Sequence, residues 1–354
     1  MLLRCCTHLL DFYGRCGVLD KIRFFDEYCF VEPGGRISVM KPDLASLARF
    51  PALGWRDKLA IARGLRAMRR EPSSDSITFA AWLAAHHQTE AAVRRFWRPI
   101  VVSALNEEPE RASARPAFQV LREGFLGSRD GYHMGVPAVP LSELYSPAAF
   151  PKVRLHLRTP LQRLTDVAAD FYLSAVPFER VNELAPDLRL DLSRFKHSPI
   201  TGIHLWFDRE ITPLPQAALL DRTIQWMFRK SPLHYHLVVS ASRSLVLLPR
   251  QEIIDLACRE LAEFFPAVRR ARLERAHVIK ETRATYAPLP GVEAARPGPE
   301  TKFPNIFLAG DWTSTGWPAT MEGAVRSGYR AAEAIARAHG GALLPRPPHP
   351  GQPA

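Results

Sequence analysis

The sequence predicts a mixed α/β (α+β) fold, and three observations carry that expectation. Near the C-terminal end a short apolar run, Asn305-Ile306-Phe307-Leu308-Ala309, has strand character and is closed by Gly310 and Asp311. A loop rich in Thr, Ser, Gly and Pro follows, then a helix with Thr320 as N-cap and Glu322 in its first turn. Residues 199–208 (PITGIHLWFD) and 233–240 (LHYHLVVS) alternate between apolar and polar side chains, as half-buried strands do, whereas residues 55–125 carry helical periodicity.

Taken in order, residues 1–20 open with the helix-like spacing of Leu9, Leu10, Phe12 and Tyr13 and stop between Gly14 and Gly17. Residues 24–31 read as a strand, 32–36 (EPGGR) as a tight turn and 37–39 as the returning strand of a hairpin. Residues 55–70 (WRDKLAIARGLRAMRR) form an amphipathic helix, with Leu59, Ala62, Leu65 and Met68 along one side. Arg63, Arg66, Arg69 and Arg70 occupy much of the other. That basic side is either a solvated surface or, if the substrate is a lipid, a face that meets anionic headgroups. Further helices are expected at 79–86, 89–105, 112–125 and 252–265, and further strands at 153–157, 169–177 and 276–281. His234 and His236 share one strand face, but no third ligand accompanies them, so no metal is expected. The tail, 341–354, is Pro-rich and expected to be disordered.

A chain of 354 residues is long enough for one large or two ordinary domains, and 47% hydrophobic against 23% charged residues fits a globular protein of the aqueous phase. No apolar run approaches the ~18 residues of a membrane span, and the N-terminal segment has no convincing signal-peptide cleavage site. Five cysteines without a CxxC pair suggest reduced thiols in the cytosol rather than a disulfide or zinc framework. The net charge of +11 would suit nucleic acid or an anionic membrane surface. It is spread along the chain with no helix-turn-helix, finger or RRM signature, which argues against nucleic acid.

The chemistry concentrates in residues 304–339. A helix N-terminus offers free N–H groups and about half a positive charge, and a carboxylate at the end of a strand can accept hydrogen bonds from ligand hydroxyls. Gly323, Ala324, Ser327, Gly328, Ala331 and Ala332 give the helix a small-residue face that lets its backbone approach a neighbour. An ordinary strand–loop–helix crossover would show the same pattern, so the residues alone leave ligand binding and plain packing both open.

FLAGD followed by WPATMEGAVRSGYRAAEAI resembles the C-terminal flavin-binding signature of the amine oxidase and phytoene desaturase superfamily. That resemblance implies an FAD-dependent amine-oxidase-like fold with an inserted mixed substrate domain. It assigns Asp311, after Gly310, to hydrogen bonds with the ribityl and diphosphate part of FAD. The backbone from Gly316 and Trp317 through Pro318, Ala319, Thr320 and Met321 faces the pyrimidine edge of the flavin, and Ala324 lies one turn on. FWRPIVVSALNEEPERAS, FQVLREGFLGS, TIQWMF and LVVSASR are similar to the squalene-associated FAD-dependent desaturase group, whose assigned activity is hydroxysqualene dehydroxylation. The activity implied is reductive removal of an allylic hydroxyl from a C30 isoprenoid, giving squalene for hopanoid synthesis, with hydride from reduced flavin and an acid assisting departure of hydroxide. Glu107, Glu108 and Glu123 are candidates for that acid by position, although a solvated helix-end charge is the favoured reading of each. Carotenoid desaturation and amine oxidation are the alternatives within the superfamily, and an inactive fragment or subunit is the alternative outside it.

No GxGxxG occurs in the chain, although members of the superfamily open with a strand, that turn and a helix holding the FAD diphosphate. The chain therefore resembles a member lacking its N-terminal ADP-binding unit. The expectation is weak or absent FAD binding by the chain alone and a separate N-terminal segment as partner. On this basis residues 1–20 are a remnant of the FAD domain and 21–150 with 195–275 a substrate domain. Residues 151–194 with 276–340 are then the remaining FAD-binding part. A cytoplasmic protein touching the inner face of the membrane completes the expectation.

Overall fold

The computed structural model describes residues 1–41, 43–145 and 149–341, and the expected disordered tail lies outside the described residues except for Gly341. In chain order the strands are β1 Leu2–Leu3, β2 Ile22–Phe25, β3 Tyr28–Val31, β4 Ile37–Met40, β5 Met134–Pro137, β6 Tyr172–Ser174, β7 His197–Phe207, β8 Gln216–Leu219, β9 Trp226–Ser231, β10 His234–Ser240, β11 Leu273–Tyr286 and β12 Ile306–Leu308. The chain divides into two compact units, one of residues 27–118 and 196–290, the other of residues 1–26, 119–195 and 291–354.

The first unit is built on a seven-stranded sheet in the order β11-β7-β10-β9-β8-β3-β4. Alternation along the long strands decides its faces. Ile203, Leu205 and Phe207 of β7, Tyr235, Leu237 and Val239 of β10 and Val278 of β11 point into one core. The Arg250–Phe264 helix covers them with Ile253, Ala257, Leu261 and Phe264. Each such aliphatic side chain contributes about 1.5–3 kcal/mol by leaving water. The hairpin of β3 and β4 is antiparallel as expected, from Tyr28↔Met40 to Val31↔Ile37. Gly34 and Gly35 in its turn have φ of +95° and +85°, values that favour glycine, and the Gly34 N–H reaches the Glu263 carbonyl at 3.0 Å.

Helices Phe79–Ala85 and Arg98–Leu105 lie in the same unit, with a π-turn, Val93–Trp97, leading into the second of them. Trp97 is fully buried against Phe79, Trp82 and Phe96 and serves the core. Asn106 ends the second helix in the left-handed region and bonds outward to the sheet, its amide nitrogen donating to Ser198 O and Thr285 Oγ1 at 2.9 Å.

The second unit holds an antiparallel sheet, β1-β5-β2, and a parallel pair, β12-β6, in the register Ile306↔Tyr172, Phe307↔Leu173 and Leu308↔Ser174. Helix Thr7–Arg15 packs on helix Met321–Ala338.

Several expectations change. The strand expected at 24–31 breaks at Asp26–Glu27, and its halves pair in different units. Residues 153–157 form no strand; no neighbouring strand offers them hydrogen bonds, and Val153, Leu155 and Leu157 are exposed. The strand expected at 169–177 shrinks to β6, whereas that at 276–281 lengthens into β11 because β7 pairs along most of its length. Unit boundaries move with these pairings: β5 joins β1 and β2, and β11 stays with β7. The compact units change over at 118 and at 290.

In helix Trp55–Arg70 the buried side is Ala60, Ile61, Gly64 and Met68, and Leu59 stands in solvent at 42% exposure. On helix Met321–Ala338 the buried small-residue face is Gly323, Ser327, Ala331 and Ala334; Ala324 is exposed, and open space surrounds the Gly328 Cα.

Candidate functional site

Parallel pairing of β6 and β12 sets the geometry of the strand–loop–helix unit, because it fixes where Gly310 and Asp311 leave the sheet. Gly310 has φ +127°, and a Cβ there would lie 2.6 Å from Trp312 Nε1. Its own N–H donates to Ser327 Oγ at 2.7 Å, which ties the strand end to the helix. Trp312 Nε1 in turn donates to the Val176 carbonyl at 2.9 Å, so the segment after β6 and the loop after β12 are held together.

The loop is shaped by a residue the sequence did not single out. Arg296, 6% exposed, donates to Glu293 Oε2 at 2.7 Å, to the Asp311 carbonyl at 3.0 Å and to Thr315 Oγ1 at 3.1 Å, and also to the Thr313 carbonyl. A buried guanidinium with several fixed acceptors braces a loop that is otherwise held by turn bonds such as Thr313 N–H to the Gly310 carbonyl at 3.0 Å. Only its burial and its set of acceptors distinguish Arg296 from the other 46 of the 47 lysines and arginines, and both are tertiary.

At the helix tip Thr320 Oγ1 accepts the Gly323 N–H at 3.1 Å, as expected of the N-cap. Gly323 sits against the Pro318 carbonyl, which a Cβ would meet at 2.5 Å. Trp317, Pro318 and Ala319 are buried, Gly316 is exposed with φ +69°, and the Arg326 guanidinium lies 4.1 Å over the Trp317 ring. Ala324 spends its N–H on the Thr320 carbonyl at 2.9 Å.

Glu322 has a role that sequence reading missed. It is fully buried and accepts the Leu9 N–H at 2.7 Å, the His8 N–H at 3.3 Å and Arg326 Nε at 2.5 Å. It therefore caps the N-terminus of helix Thr7–Arg15 from another helix. Burial alone would raise its carboxyl, but His8, Arg326 and the Leu9 N–H outweigh that and hold it below the usual carboxylate range. Met321 beside it packs with Tyr13, whose hydroxyl is 2.8 Å from that of Tyr145.

Asp311 is half-buried. Burial, with a smaller contribution from Glu179, raises its carboxyl above the ordinary range against the opposing pull of Arg296 and nearby N–H groups. A desolvated carboxylate at a strand end, beside a capped helix tip, suits ligand hydroxyls.

The acid candidates fare differently. Glu107, fully buried, holds Arg243 in a bidentate pair at 2.6 and 2.8 Å, and Glu108 holds Arg98 at 2.7 and 2.8 Å. Both carboxylates are engaged as fasteners of their unit. Glu123 is half-buried in the π-turn Arg122–Leu126 of the other unit. A cleft of about 760 Å³ in the unit of residues 27–118 and 196–290 is lined by Arg94, Arg98, Glu108, Asp221, Arg222 and Glu260 among others, and its arginines are paired with carboxylates.

His234 and His236 are packed with a third histidine from the neighbouring strand, His204. His204 stacks on His236 at 4.1 Å, and its Nδ1 lies 3.0 Å from His234 Nε2. Among the described residues no group of three His, Cys, Asp or Glu is placed to hold a metal ion.

The fold class is that of FAD-dependent amine oxidases. A putative protoporphyrinogen oxidase from Exiguobacterium sp. 255-15 superposes with a TM-score of 0.65 at 16% identity, covering 96% of this chain and 86% of that one. Cyclohexylamine oxidase from Brevibacterium oxydans gives 0.63 at 17%, with the same coverage. The sequence profile of the flavin containing amine oxidoreductases matches residues 7–336, and the chain belongs to that family.

Hydroxysqualene dehydroxylase of Sinorhizobium fredii is 31% identical over 266 residues, 68% of this chain and 61% of that protein. The Rhodopseudomonas palustris protein of the same name is 30% identical over 68% of this chain and 62% of its own length. The chain thus spans about three-fifths of these relatives. A probable zeta-carotene desaturase of Synechococcus elongatus is 24% identical over 81% of the chain. Among the described residues no helix is long and apolar enough to cross a membrane.

The residues present fit one end of FAD. Asp311 supplies an acceptor with a desolvated carboxyl, and the tip of helix Met321–Ala338 supplies a positive dipole end. The chain contains no GxGxxG turn for the diphosphate.

Proposed function

We propose that this chain is the flavin-ring and substrate-binding part of an FAD-dependent oxidoreductase that removes an allylic hydroxyl from hydroxysqualene to give squalene. The carrying observation is the parallel β6–β12 pair, which brings Gly310, Asp311 and the Thr320-capped helix together at one strand end. Similarity to two hydroxysqualene dehydroxylases supports the substrate class.

The reaction replaces C–OH by C–H: the C–O bond breaks with its electron pair, a hydride adds to the carbon, and a proton converts the departing hydroxide to water. FAD, when bound and reduced, supplies that hydride. Asp311 would accept hydrogen bonds from cofactor hydroxyls, and the positive end of the helix dipole at Thr320 and Met321 would favour negative charge on a bound flavin ring. Arg296 keeps the loop between them in place. Helix-end glutamates are not the acid favoured here, because Glu107 and Glu108 are committed to Arg243 and Arg98.

With no diphosphate turn in the chain, we expect the purified protein to bind FAD weakly. Absorbance near the flavin bands reads this, and a stoichiometric yellow protein would overturn the weak-binding part. Incubation with excess FAD, dithionite and hydroxysqualene, followed by mass-spectrometric product analysis, tests the reaction. Squalene is the expected product; carotenoid desaturation or amine-dependent peroxide in its place would refute the assignment.

A further inference from the structure

Helix Trp55–Arg70 buries Ala60, Ile61, Gly64 and Met68, and its opposite side carries one continuous stripe. Positions 55, 59, 63, 66 and 70 fall at successive helical spacings of three and four, so Trp55 and Leu59 lead into Arg63, Arg66 and Arg70, with Arg69 alongside. The stripe is about 24 Å long at 1.5 Å per residue.

Two features separate it from an ordinary solvated helix face. Trp55 is 70% exposed and Leu59 42%, large apolar side chains standing in water on the charged side. Arg63, Arg66, Arg69 and Arg70 are exposed and have no carboxylate, hydrogen-bond or ring partner among the described residues. The acids within reach are spent elsewhere. Asp57 takes the Gly54 N–H at 2.8 Å and the Thr89 hydroxyl at 2.5 Å, and Glu71 takes Trp82 Nε1 at 3.1 Å and pairs with His86 at 3.0 Å.

We infer that this stripe docks the protein peripherally on an anionic phospholipid bilayer, with Trp55 and Leu59 in the headgroup–acyl boundary and the four arginines on lipid phosphates. An uncompensated basic run attracts an anionic surface. An indole and a leucyl side chain beside it have a place to go in a bilayer interface and none in an aqueous phosphate backbone groove. Nucleic acid shares the phosphate chemistry but not the use for Leu59. This inference does not rest on the substrate proposed above.

The test is co-sedimentation of the full chain with vesicles of phosphatidylcholine alone and of phosphatidylcholine with about a third phosphatidylglycerol, in 0.1 M and 0.5 M salt. Binding is expected only to the anionic vesicles and falls at high salt as the Debye length contracts from about 10 Å. With about fivefold in partition per basic residue near such a surface, the variant R63Q/R66Q/R69Q/R70Q loses on the order of 100-fold or more. Trp55→Ala weakens binding severalfold while leaving the salt dependence of the remaining binding intact. Circular dichroism and thermal melts of both variants establish that they fold, as expected for exposed positions. Equal binding to neutral vesicles, undiminished binding by the folded arginine variant, or tighter binding to duplex DNA that ignores Trp55→Ala would each overturn the inference.

Discussion

Replacing Glu322 by Gln tests the contact that holds the helix tip to helix Thr7–Arg15. The amide keeps the size of the carboxylate and one oxygen for the Leu9 N–H at 2.7 Å, but it removes the charge facing Arg326 and places N–H donors toward His8 and Arg326. Breaking a buried ion pair by changing one partner costs about 3–5 kcal/mol. Loss of a capping charge at a helix N-terminus adds ~0.3–1 kcal/mol. Arg326 recovers part of this because it already lies over the Trp317 ring and is 13% exposed. We expect a net loss of about 2–4 kcal/mol at pH 7, the scale on which one buried network is worth a large part of total stability. The carboxyl is depressed in the folded protein, so its contribution is present above about 4.5, its ordinary value, and fades as pH falls through the lower folded value. Urea unfolding of wild type and Glu322→Gln at pH 7 and pH 3.5 reads both the magnitude and its decline in acid. A gap of equal size at both pH values, or no gap at pH 7, refutes the capping role.

Three further outcomes follow from the same geometry. Arg296→Met leaves Glu293 without its ion-pair partner and the carbonyls of Asp311 and Thr313 without its guanidinium. It should lower stability by about 3–5 kcal/mol in chemical denaturation, and flavin retention with it. Gly310→Ala forces a Cβ to 2.6 Å from Trp312 Nε1 at φ +127°, so flavin fluorescence titration should show lost binding and melts should show a lower midpoint. Burial, with His204 adding repulsion, holds His236 down to about 3 and His234 to about 4. Depressed imidazoles contribute stability that is present above about 6.5 and lost as pH falls toward those values. His236→Gln should therefore flatten the stability–pH curve across that window in thermal melts.

What the sequence made legible was local. The hairpin turn needs two glycines in succession, the alternating strands name their own buried face, and Thr320 caps its helix through a residue three positions on. The Gly310–Asp311 strand end belongs to the same class, since its signal lies within a dozen residues. What was missed depends on partners remote in the chain. Glu322 meets Leu9 across 313 positions, and Glu107 meets Arg243 across 136. Neither partner leaves a mark on its neighbours in sequence. Leu59 was assigned to the buried side because periodicity weighs hydrophobicity alone, and an exposed apolar residue on a charged face violates that weighting. The expected strand at 153–157 failed for the complementary reason: its residues have strand propensity, but strands form only where a neighbour accepts their hydrogen bonds.

On the proposed function, Asp311 links stability to ligand binding. Its carboxyl is raised in the folded protein, burial being the first cause, so the ionised form is disfavoured there relative to the unfolded chain. Stability from this group is fully present below about 3.8 and is lost as pH rises through the folded value; at pH 7 the carboxylate is a net burden on the fold. A ligand hydroxyl donating to it offsets that burden, which is how a site carrying local strain gains affinity. Asp311→Asn separates the two effects. Without added FAD the variant should unfold at higher urea than wild type at pH 7. Its affinity for FAD should fall about 10- to 100-fold, the worth of a hydrogen bond to a charged acceptor. Stability and affinity would then move in opposite directions. If the variant is less stable and binds FAD as well as wild type, Asp311 is a structural residue and the ligand site lies elsewhere.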